Sequence, residues 1–330
     1  MTPPTPPAGR LRILSGVQPT GKLHLGNYFG AVRQHIALQD EAECFYFIAD
    51  YHSLTTIHDS KALSENTRDV ALDYLALGLD PEKAVFFRQS DVPEVTELAW
   101  IFSTVTNMGL LERAVSYKEK IDRGIDASVG LFFYPVLMAA DILIYRSHLV
   151  PVGKDQVQHI EITQDIAGKF NRTYGDVFPI PDYRLDKESK VLGTDGQKMS
   201  KSYGNTIEIF AEGNALKKTV MSIVTDSTPV EAPKDPEKCN VFALYSLFAT
   251  DEEKAALAAR YRAGGFGYGE SKKMLLEKIN EHFAAARAKR KELAAQPERV
   301  EAILRQGAER ARAEARKTMA LVRKAVGMKA

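Results

Sequence analysis

Two short segments of this 330-residue chain combine residue types that suit the binding of phosphate groups. The first reads HLGN, from His24 to Asn27, and the second reads KMSKS, formed by Lys198, Met199, Ser200, Lys201 and Ser202. KMSKS places two ammonium groups three positions apart, with hydroxyl groups beside them. A loop of this kind can close over a triphosphate and stabilise negative charge as it develops in a transition state. The two segments therefore predict a triphosphate-binding site.

The surroundings of both segments predict how the chain would position them. Residues 11–14 form a short apolar run of strand character, and Pro19 and Gly21 break it before a helical pattern begins near Asn27. A helix N-terminus at this point would direct backbone N–H groups and the positive end of the helix dipole at an anion. Turn residues at 194–196 introduce KMSKS and predict a mobile loop.

The remaining pattern predicts an α/β fold. Short apolar runs at 45–49, 84–88 and 149–152 have strand length and alternate with amphipathic helical stretches at 27–39, 60–77 and 94–106. Such alternation favours a parallel sheet with crossover helices. From about residue 210 the strand signals fade, which predicts a second, all-helical domain. The Pro-rich residues 1–10 predict a disordered tail.

Composition argues against several classes of protein. Cys44 and Cys239 are the only cysteines and lie far apart, so neither a disulfide framework nor a cysteine-based zinc site is predicted. No apolar stretch approaches the length of a membrane span, and the N-terminus lacks an apolar signal region. We therefore expect a cytoplasmic protein without a membrane partner.

The net charge of +1 hides an asymmetry along the chain. Residues 271–330 carry 16 Lys and Arg against 7 Asp and Glu, in a composition that favours helices. Such a basic helical region is either a solvated charged surface or an electrostatic footprint for a nucleic acid. The sequence alone leaves both interpretations open.

A family resemblance rests on these motifs and on longer segments. HLGN is similar to the HIGH motif of class I aminoacyl-tRNA synthetases, and KMSKS is identical to their second signature. The chain resembles tryptophanyl-tRNA synthetases from about residue 11 to near its end, above all in SGVQPTGKLHLGN (15–27), YPVLMAADIL (134–143), VPVGKDQVQHIE (150–161) and MSIVTDS (221–227). The resemblance implies a tryptophan–tRNA ligase. Such an enzyme activates L-tryptophan with ATP to tryptophanyl-adenylate and transfers it to the 3′ end of tRNA(Trp), releasing AMP and pyrophosphate.

The resemblance also implies a domain organisation and an oligomeric state. A Rossmann-like catalytic domain is expected at 11–205, with a dimer-forming insertion at 99–122, followed by a helical anticodon-recognition domain at 206–330. The family works as a symmetric homodimer. We therefore expect tRNA(Trp), L-tryptophan and a second copy of this chain as partners.

Residues of the ATP site are implied by the same resemblance. Amino-acid activation requires positioning and charge stabilisation more than proton transfer, because a carboxylate attacks the α-phosphorus in line. His24 and Asn27 are expected to contact the phosphates and ribose, and Lys198 and Lys201 the leaving pyrophosphate. Lys120 resembles a third phosphate-binding lysine but also fits a solvated charged run. The other expected contacts are Gln18, Thr20, Gly26, Gly153, Asp155, Gln156, Met199, Ser200 and Ser202. Mg²⁺ is implied as a partner of the β- and γ-phosphates, with no protein metal site.

Side-chain selection is predicted from an acidic residue in apolar surroundings. Asp141 lies in LMAADIL, where a carboxylate requires a partner. An indole N–H is a suitable donor, and the resemblance assigns Asp141 this role, with Met138 against the ring. An ion pair to Arg146 or another cation is the alternative. The other residues that the resemblance assigns to the tryptophan pocket are Tyr134, Gln156, His52 and Val152. Tyr134 also fits an aromatic residue of the core, and Asp155 also fits a residue that caps a turn.

Three other functions remain as alternatives. Tyrosine-specific relatives usually carry polar Gln and Tyr near Met138 and Ala140, so the apolar residues here favour tryptophan over a tyrosyl-tRNA synthetase. A small-molecule nucleotidyltransferase would not need the basic helical region. A non-catalytic RNA-binding paralogue would gain nothing by keeping His24 and both KMSKS lysines. One departure from the family is Tyr203, Gly204 and Asn205 after KMSKS, where many members have Asp and Pro.

Overall fold

A computed structural model describes residues 10–114, 117, 128–185 and 191–329. Its strands are β1 (Arg12–Val17), β2 (Glu43–Ile48), β3 (Val85–Arg88), β4 (Leu149–Val152) and β5 (Asp182–Leu185). The helices before β5 are α1 (Leu25–Asn27), α2 (Arg33–Leu38), α3 (Asp50–Ser53), α4 (Ser60–Ala76), α5 (Glu94–Val105), α6 (Met108–Glu112), α7 (Val129–Ile144) and α8 (Val157–Tyr174). Those after it are α9 (Gly213–Met221), α10 (Asn240–Tyr245), α11 (Asp251–Ala263), α12 (Tyr268–Ala294) and α13 (Pro297–Ala325).

The five strands form one parallel sheet in the order β3-β2-β1-β4-β5. β1 lies at the centre, with Ile13 opposite Cys44 of β2 and Leu149 of β4. Such strands are covered on both faces, which explains why β2 is an almost continuous apolar run. The predicted α/β class is confirmed, as are the strands predicted from apolar runs.

The chain divides into two compact units. The first comprises Met1–Gly21, His35–Asp186 and Gln296–Ala330, and the second comprises Lys22–Gln34 and Lys187–Ala295. These bounds differ from the predicted domain boundary after residue 205, since HLGN and KMSKS both belong to the second unit and the C-terminal helix to the first. The assignment of anticodon recognition to residues 206–330 stays a prediction.

In the first unit, the C-terminal helix α13 packs on the edge strand β3. A Cβ atom at Gly307 would lie only 1.8 Å from the carbonyl oxygen of Phe86, so the helix and strand backbones are in direct contact. Ala308, Ala311 and Ala315 are buried in the same core as the sheet. The small side chains of α13 therefore allow a helix to cover strand β3.

In the second unit, the HLGN segment is held by helical neighbours. The helix that begins at Leu25 contains a wide π-helical turn, Tyr28–Val32. Within this unit, the rings of Tyr28 and Phe283 of α12 lie 5.0 Å apart, edge to face. π-Helical turns occur often at functional sites. None of the helices in the described ranges has both the length and the apolar character needed to cross a membrane.

Candidate active site

The structure brings the predicted site residues together in two groups, one in each compact unit. The first unit contains Asp141 on α7, a residue that is 3% exposed. His52 Nε2 lies 2.8 Å from its Oδ2, and the amide nitrogen of Gln89 donates to both carboxylate oxygens at 2.9 Å. Burial raises the pKa of Asp141, while the hydrogen bonds from His52 and Gln89 favour the ionised carboxylate. Arg146 forms no ion pair with Asp141 in the structure.

The two donors reach Asp141 from the carboxyl ends of neighbouring strands. His52 lies on α3, which follows β2, and Gln89 begins the turn Gln89–Asp91, which follows β3. Ligands of open α/β sheets bind at this edge. Gln89 was not predicted as a site residue; the available signal was a buried polar residue directly after an apolar strand.

Other predicted pocket residues surround this group. The rings of His52 and Tyr134 lie 6.2 Å apart, edge to face, and the hydroxyl of Tyr134 is hydrogen-bonded to His159 Nε2. Val152 is buried at the end of β4, and Met138 is half-buried on α7. His159, which was given no role from the sequence, thus orients Tyr134. Burial lowers the pKa of His159.

The remaining residues of the first group follow the two central strands. Gln18 and Thr20 form a turn after β1, in which the Thr20 N–H donates to the Gln18 carbonyl at 2.9 Å. Gly153, Asp155 and Gln156 form the turn after β4, where the Gln156 amide donates to Asp155 at 3.1 Å. The strand order reverses between β1 and β4, which is the position where doubly wound sheets bind nucleotides.

The second group joins the two signature motifs. His24 precedes the first helical residue, and its N–H donates to the side-chain oxygen of Asn27 at 3.1 Å. The Gly26 N–H donates to the sulfur of Met199 at 3.4 Å, and Met199 is buried. Met199 therefore seats the KMSKS loop directly on the start of the HLGN helix.

His24 is held in its neutral form. The residue is 6% exposed, and its Nδ1 makes no hydrogen bond to any residue of the described ranges. Burial and the nearby charge of Lys201 lower the pKa of His24 to about 4. A Cβ atom at Gly26 would lie 2.9 Å from His24 Nδ1, so glycine is needed for this close packing. His24 can act on a ligand as a hydrogen-bonding group rather than as a cation.

Asn205 shapes the KMSKS loop from the position where this chain departs from the family pattern. Its side-chain oxygen accepts from the Ser200 N–H at 2.8 Å, and its amide donates to Asp195 at 2.7 Å and to the Lys198 carbonyl at 3.1 Å. The side chains of Lys198, Lys201 and Ser202 remain exposed, while Ser200 is partly buried. These hydrogen bonds hold the loop backbone, while the side chains of both lysines are exposed. Lys120 lies outside the described residues, and its expected role stays a prediction.

Comparisons with known proteins agree with this geometry. The family model described as tRNA synthetases class I (W and Y) matches residues 6–284. The chain is 56% identical to the tryptophan–tRNA ligase of Rhodopirellula baltica, over 97% of this chain and all of that protein. It is 53% identical to the corresponding ligase of Fusobacterium nucleatum, over 96% and 98% of the two chains.

A solved structure shows the same fold. The tryptophanyl-tRNA synthetase of Campylobacter jejuni, crystallised with ADP and tryptophan, matches with a TM-score of 0.93 and 50% identity. The match covers 96% of this chain and all of that one. The fold, the motifs and these relatives agree, and the chain belongs to the class I tRNA synthetases of the tryptophan and tyrosine group.

Proposed function

We propose that this chain is an ATP-dependent tryptophan–tRNA ligase that forms tryptophanyl-adenylate and transfers tryptophan to the 3′ end of tRNA(Trp). The observation that carries the choice of amino acid is the buried carboxylate of Asp141, held by His52 and Gln89. Relatives at 42–56% identity, all tryptophan–tRNA ligases, support this function over a tyrosyl-tRNA synthetase or a silent RNA-binding paralogue.

Asp141 would select tryptophan by accepting the indole N–H. Two carboxylate oxygens provide about four lone-pair positions, so the contacts from His52 and Gln89 leave capacity for one further donor. Phenylalanine has no equivalent donor and would leave this buried acceptor with an unmet hydrogen bond. Sites built around a substrate hydrogen bond reject analogues that lack it by several orders of magnitude.

Tyr134, Met138 and Val152 would form the remainder of the amino-acid pocket. Met138 would pack its thioether against the indole ring, an arrangement that sulfur and aromatic groups favour. Tyr134, oriented by His159, would contact the α-amino group together with Gln18 and Gln156. Fixing the amino acid at both ends would hold its carboxylate for attack on the α-phosphorus.

Lys198 and Lys201 would stabilise the negative charge of the departing pyrophosphate. Asn205 and Met199 hold the backbone of the loop that carries them, which would present both lysines to the nucleotide. Neutral His24 and Asn27 would contribute hydrogen bonds to the phosphates and ribose. The C. jejuni relative crystallised with ADP and tryptophan supports an adenine nucleotide as the co-substrate.

Magnesium would enter with the nucleotide as part of the substrate. The exposed KMSKS side chains are ammonium and hydroxyl groups rather than the carboxylates that Mg²⁺ prefers in proteins. No cluster of three metal-ligating side chains occurs within the described part of the chain. The phosphate oxygens of ATP would therefore be the ligands that bring this ion into the site.

tRNA(Trp) would bind the basic helical region, although fewer charges are available there than the sequence count indicates. Arg312 and Arg316 pair with Glu94, and Arg323 pairs with Glu97, all within the first unit. Such pairs remove much of the α13 charge from an RNA footprint.

Exposed apolar side chains at Trp100, Met108 and Val129, near the segment expected at the dimer contact, support a homodimer. The proposed place of action is the cytoplasm.

Aminoacylation and single-turnover kinetics test this function. Purified protein should attach labelled tryptophan, but not tyrosine, to a tRNA(Trp) transcript. The Lys198→Ala variant should form adenylate about a hundredfold more slowly or worse, with a tryptophan Kd within about twofold of the unaltered protein. A large loss of tryptophan affinity in this variant would contradict the role given to Lys198.

A further inference from the structure

We propose that the C-terminal helix α13 positions the tryptophan pocket through an ion pair between Glu301 and Arg88. The inference rests on the proposed function, because it concerns how Gln89 is held against Asp141. Glu301 and Arg88 would be positioning residues, since neither touches Asp141. Their effect would be on the choice and binding of tryptophan rather than on ATP.

Arg88 forms hydrogen bonds both with helix α13 and with the last residue of the turn Gln89–Asp91. It is the last residue of β3, and Gln89 comes next. Its Nη1 donates to Glu301 at 2.9 Å, and its Nε donates to Asp91 at 2.8 Å. The guanidinium therefore connects α13 with both ends of the turn Gln89–Asp91, from which the Gln89 amide reaches Asp141.

The same turn is tied to the second donor of the pocket. The Ser90 N–H donates to Asp50 Oδ1 at 3.0 Å, and the Ser90 hydroxyl is hydrogen-bonded to Oδ2 of the same carboxylate. Asp50 begins the short helix α3 that carries His52. A displacement of the turn would therefore affect both groups that donate to Asp141.

Helix α13 is a suitable support because its backbone is packed directly against that of β3. The contact between Gly307 and Phe86 is backbone to backbone, two residues before Arg88. Farther along α13, Arg312 donates twice to Glu94 at the start of α5, through Nε at 3.1 Å and Nη2 at 2.9 Å. Glu301 is thus presented to Arg88 from a fixed frame.

The ion pair is partly accessible to solvent, and Arg88 keeps its contact with Asp91, so Glu301 can be replaced without leaving an unpaired buried charge. The side chains of Arg88 and Glu301 are 25% and 55% exposed, and both line an open cavity of about 1140 Å³ together with Asp50 and Ser90. Exposed ion pairs contribute little to folding stability. A Glu301→Gln protein should therefore fold, and its kinetics would report on positioning.

The test compares Glu301→Gln with Glu309→Gln in tryptophan-dependent pyrophosphate exchange. Glu309 is an exposed carboxylate on the same helix and forms no ion pair within the described residues. We expect Glu301→Gln to raise the KM for tryptophan by about threefold to tenfold, with the KM for ATP within about twofold. The ratio of kcat/KM for tryptophan over phenylalanine should fall with it. Glu309→Gln should change none of these values, and Glu301→Asp should restore most of the loss.

A double variant tests whether the effect passes through Gln89. Gln89→Leu removes the amide that holds Asp141 and should raise the KM for tryptophan more than Glu301→Gln does. Adding Glu301→Gln to Gln89→Leu should have little further effect, because coupled residues are not additive. Fully additive effects, or a lower melting temperature of Glu301→Gln with unchanged tryptophan kinetics, would overturn the proposal. Absence of tryptophan-dependent exchange in the unaltered protein would instead contradict the proposed function.

Discussion

Replacement of Asp141 by asparagine gives a direct measure of how the pocket selects its amino acid. Asparagine has nearly the same shape but no charge, and only one of its two terminal atoms accepts hydrogen bonds. In the structure, both carboxylate oxygens face donors, at 2.8 Å from His52 and 2.9 Å from Gln89. An amide at this position would leave at least one of these contacts as donor against donor.

The expected loss follows from the strength of a hydrogen bond to a charged group. Such a bond contributes about 1.5–3 kcal/mol, and 1.4 kcal/mol corresponds to a factor of ten. The kcat/KM for tryptophan in pyrophosphate exchange should therefore fall by about tenfold to a hundredfold. Phenylalanine donates nothing to Asp141, so its kcat/KM should change by less than about threefold, and the preference for tryptophan should fall accordingly.

The matched control is Asp165→Asn, which removes an exposed carboxylate from helix α8. This variant should retain the tryptophan preference, and both variants should keep the KM for ATP. A preference unchanged by Asp141→Asn would refute the role of Asp141. Equal losses for tryptophan and phenylalanine would show that Asp141 only supports the fold.

Three further variants test other parts of the account. Gly26→Ala should lower kcat for pyrophosphate exchange by about tenfold with little change in the KM for tryptophan, because its Cβ would meet His24 Nδ1 at 2.9 Å; an unchanged kcat would contradict the packing. Gly307→Ala should lower the free energy of unfolding, measured in urea, by about 1–3 kcal/mol, because the added methyl would meet the Phe86 carbonyl. The same substitution normally stabilises a helix, so a more stable variant would contradict this contact. Burial lowers the pKa of His35 to about 4, so the unfolded chain binds the extra proton as pH falls below about 6.5. Between pH 7 and pH 5, the free energy of unfolding should therefore fall by about 2 kcal/mol more in the unaltered protein than in His35→Phe. Equal losses in the two proteins would exclude His35 as the source.

The sequence predicted the elements whose residues carry a continuous local pattern. The apolar runs that became β2 and β4 are buried on both faces, and this burial requires the same residues that make the runs recognisable. β5 was not predicted, because its sequence DYRL is polar and its last two residues are exposed. The helix near Asn27 was predicted slightly late and without its wide turn, since His24 gives no conventional capping signal.

Contacts between residues that lie far apart in the sequence were not predicted. Gln89 and Asp141 are 52 positions apart, and nothing local to either residue identifies the other as its partner. The C-terminal helix was assigned to a separate helical domain because its charge and composition resemble those of α12. Its place on β3 depends on Gly307 and on ion pairs to α5, which become visible only in three dimensions.

Amino-acid-dependent exchange of labelled pyrophosphate into ATP, with Mg²⁺ present, tests the central claim most directly. It should be run with tryptophan, tyrosine and phenylalanine at matched concentrations. We expect exchange with tryptophan to be faster by several orders of magnitude than exchange with tyrosine or phenylalanine. Exchange driven by tyrosine at a similar rate would contradict the role given to Asp141 and its neighbours, and no exchange with any of the three would contradict adenylate formation by this chain.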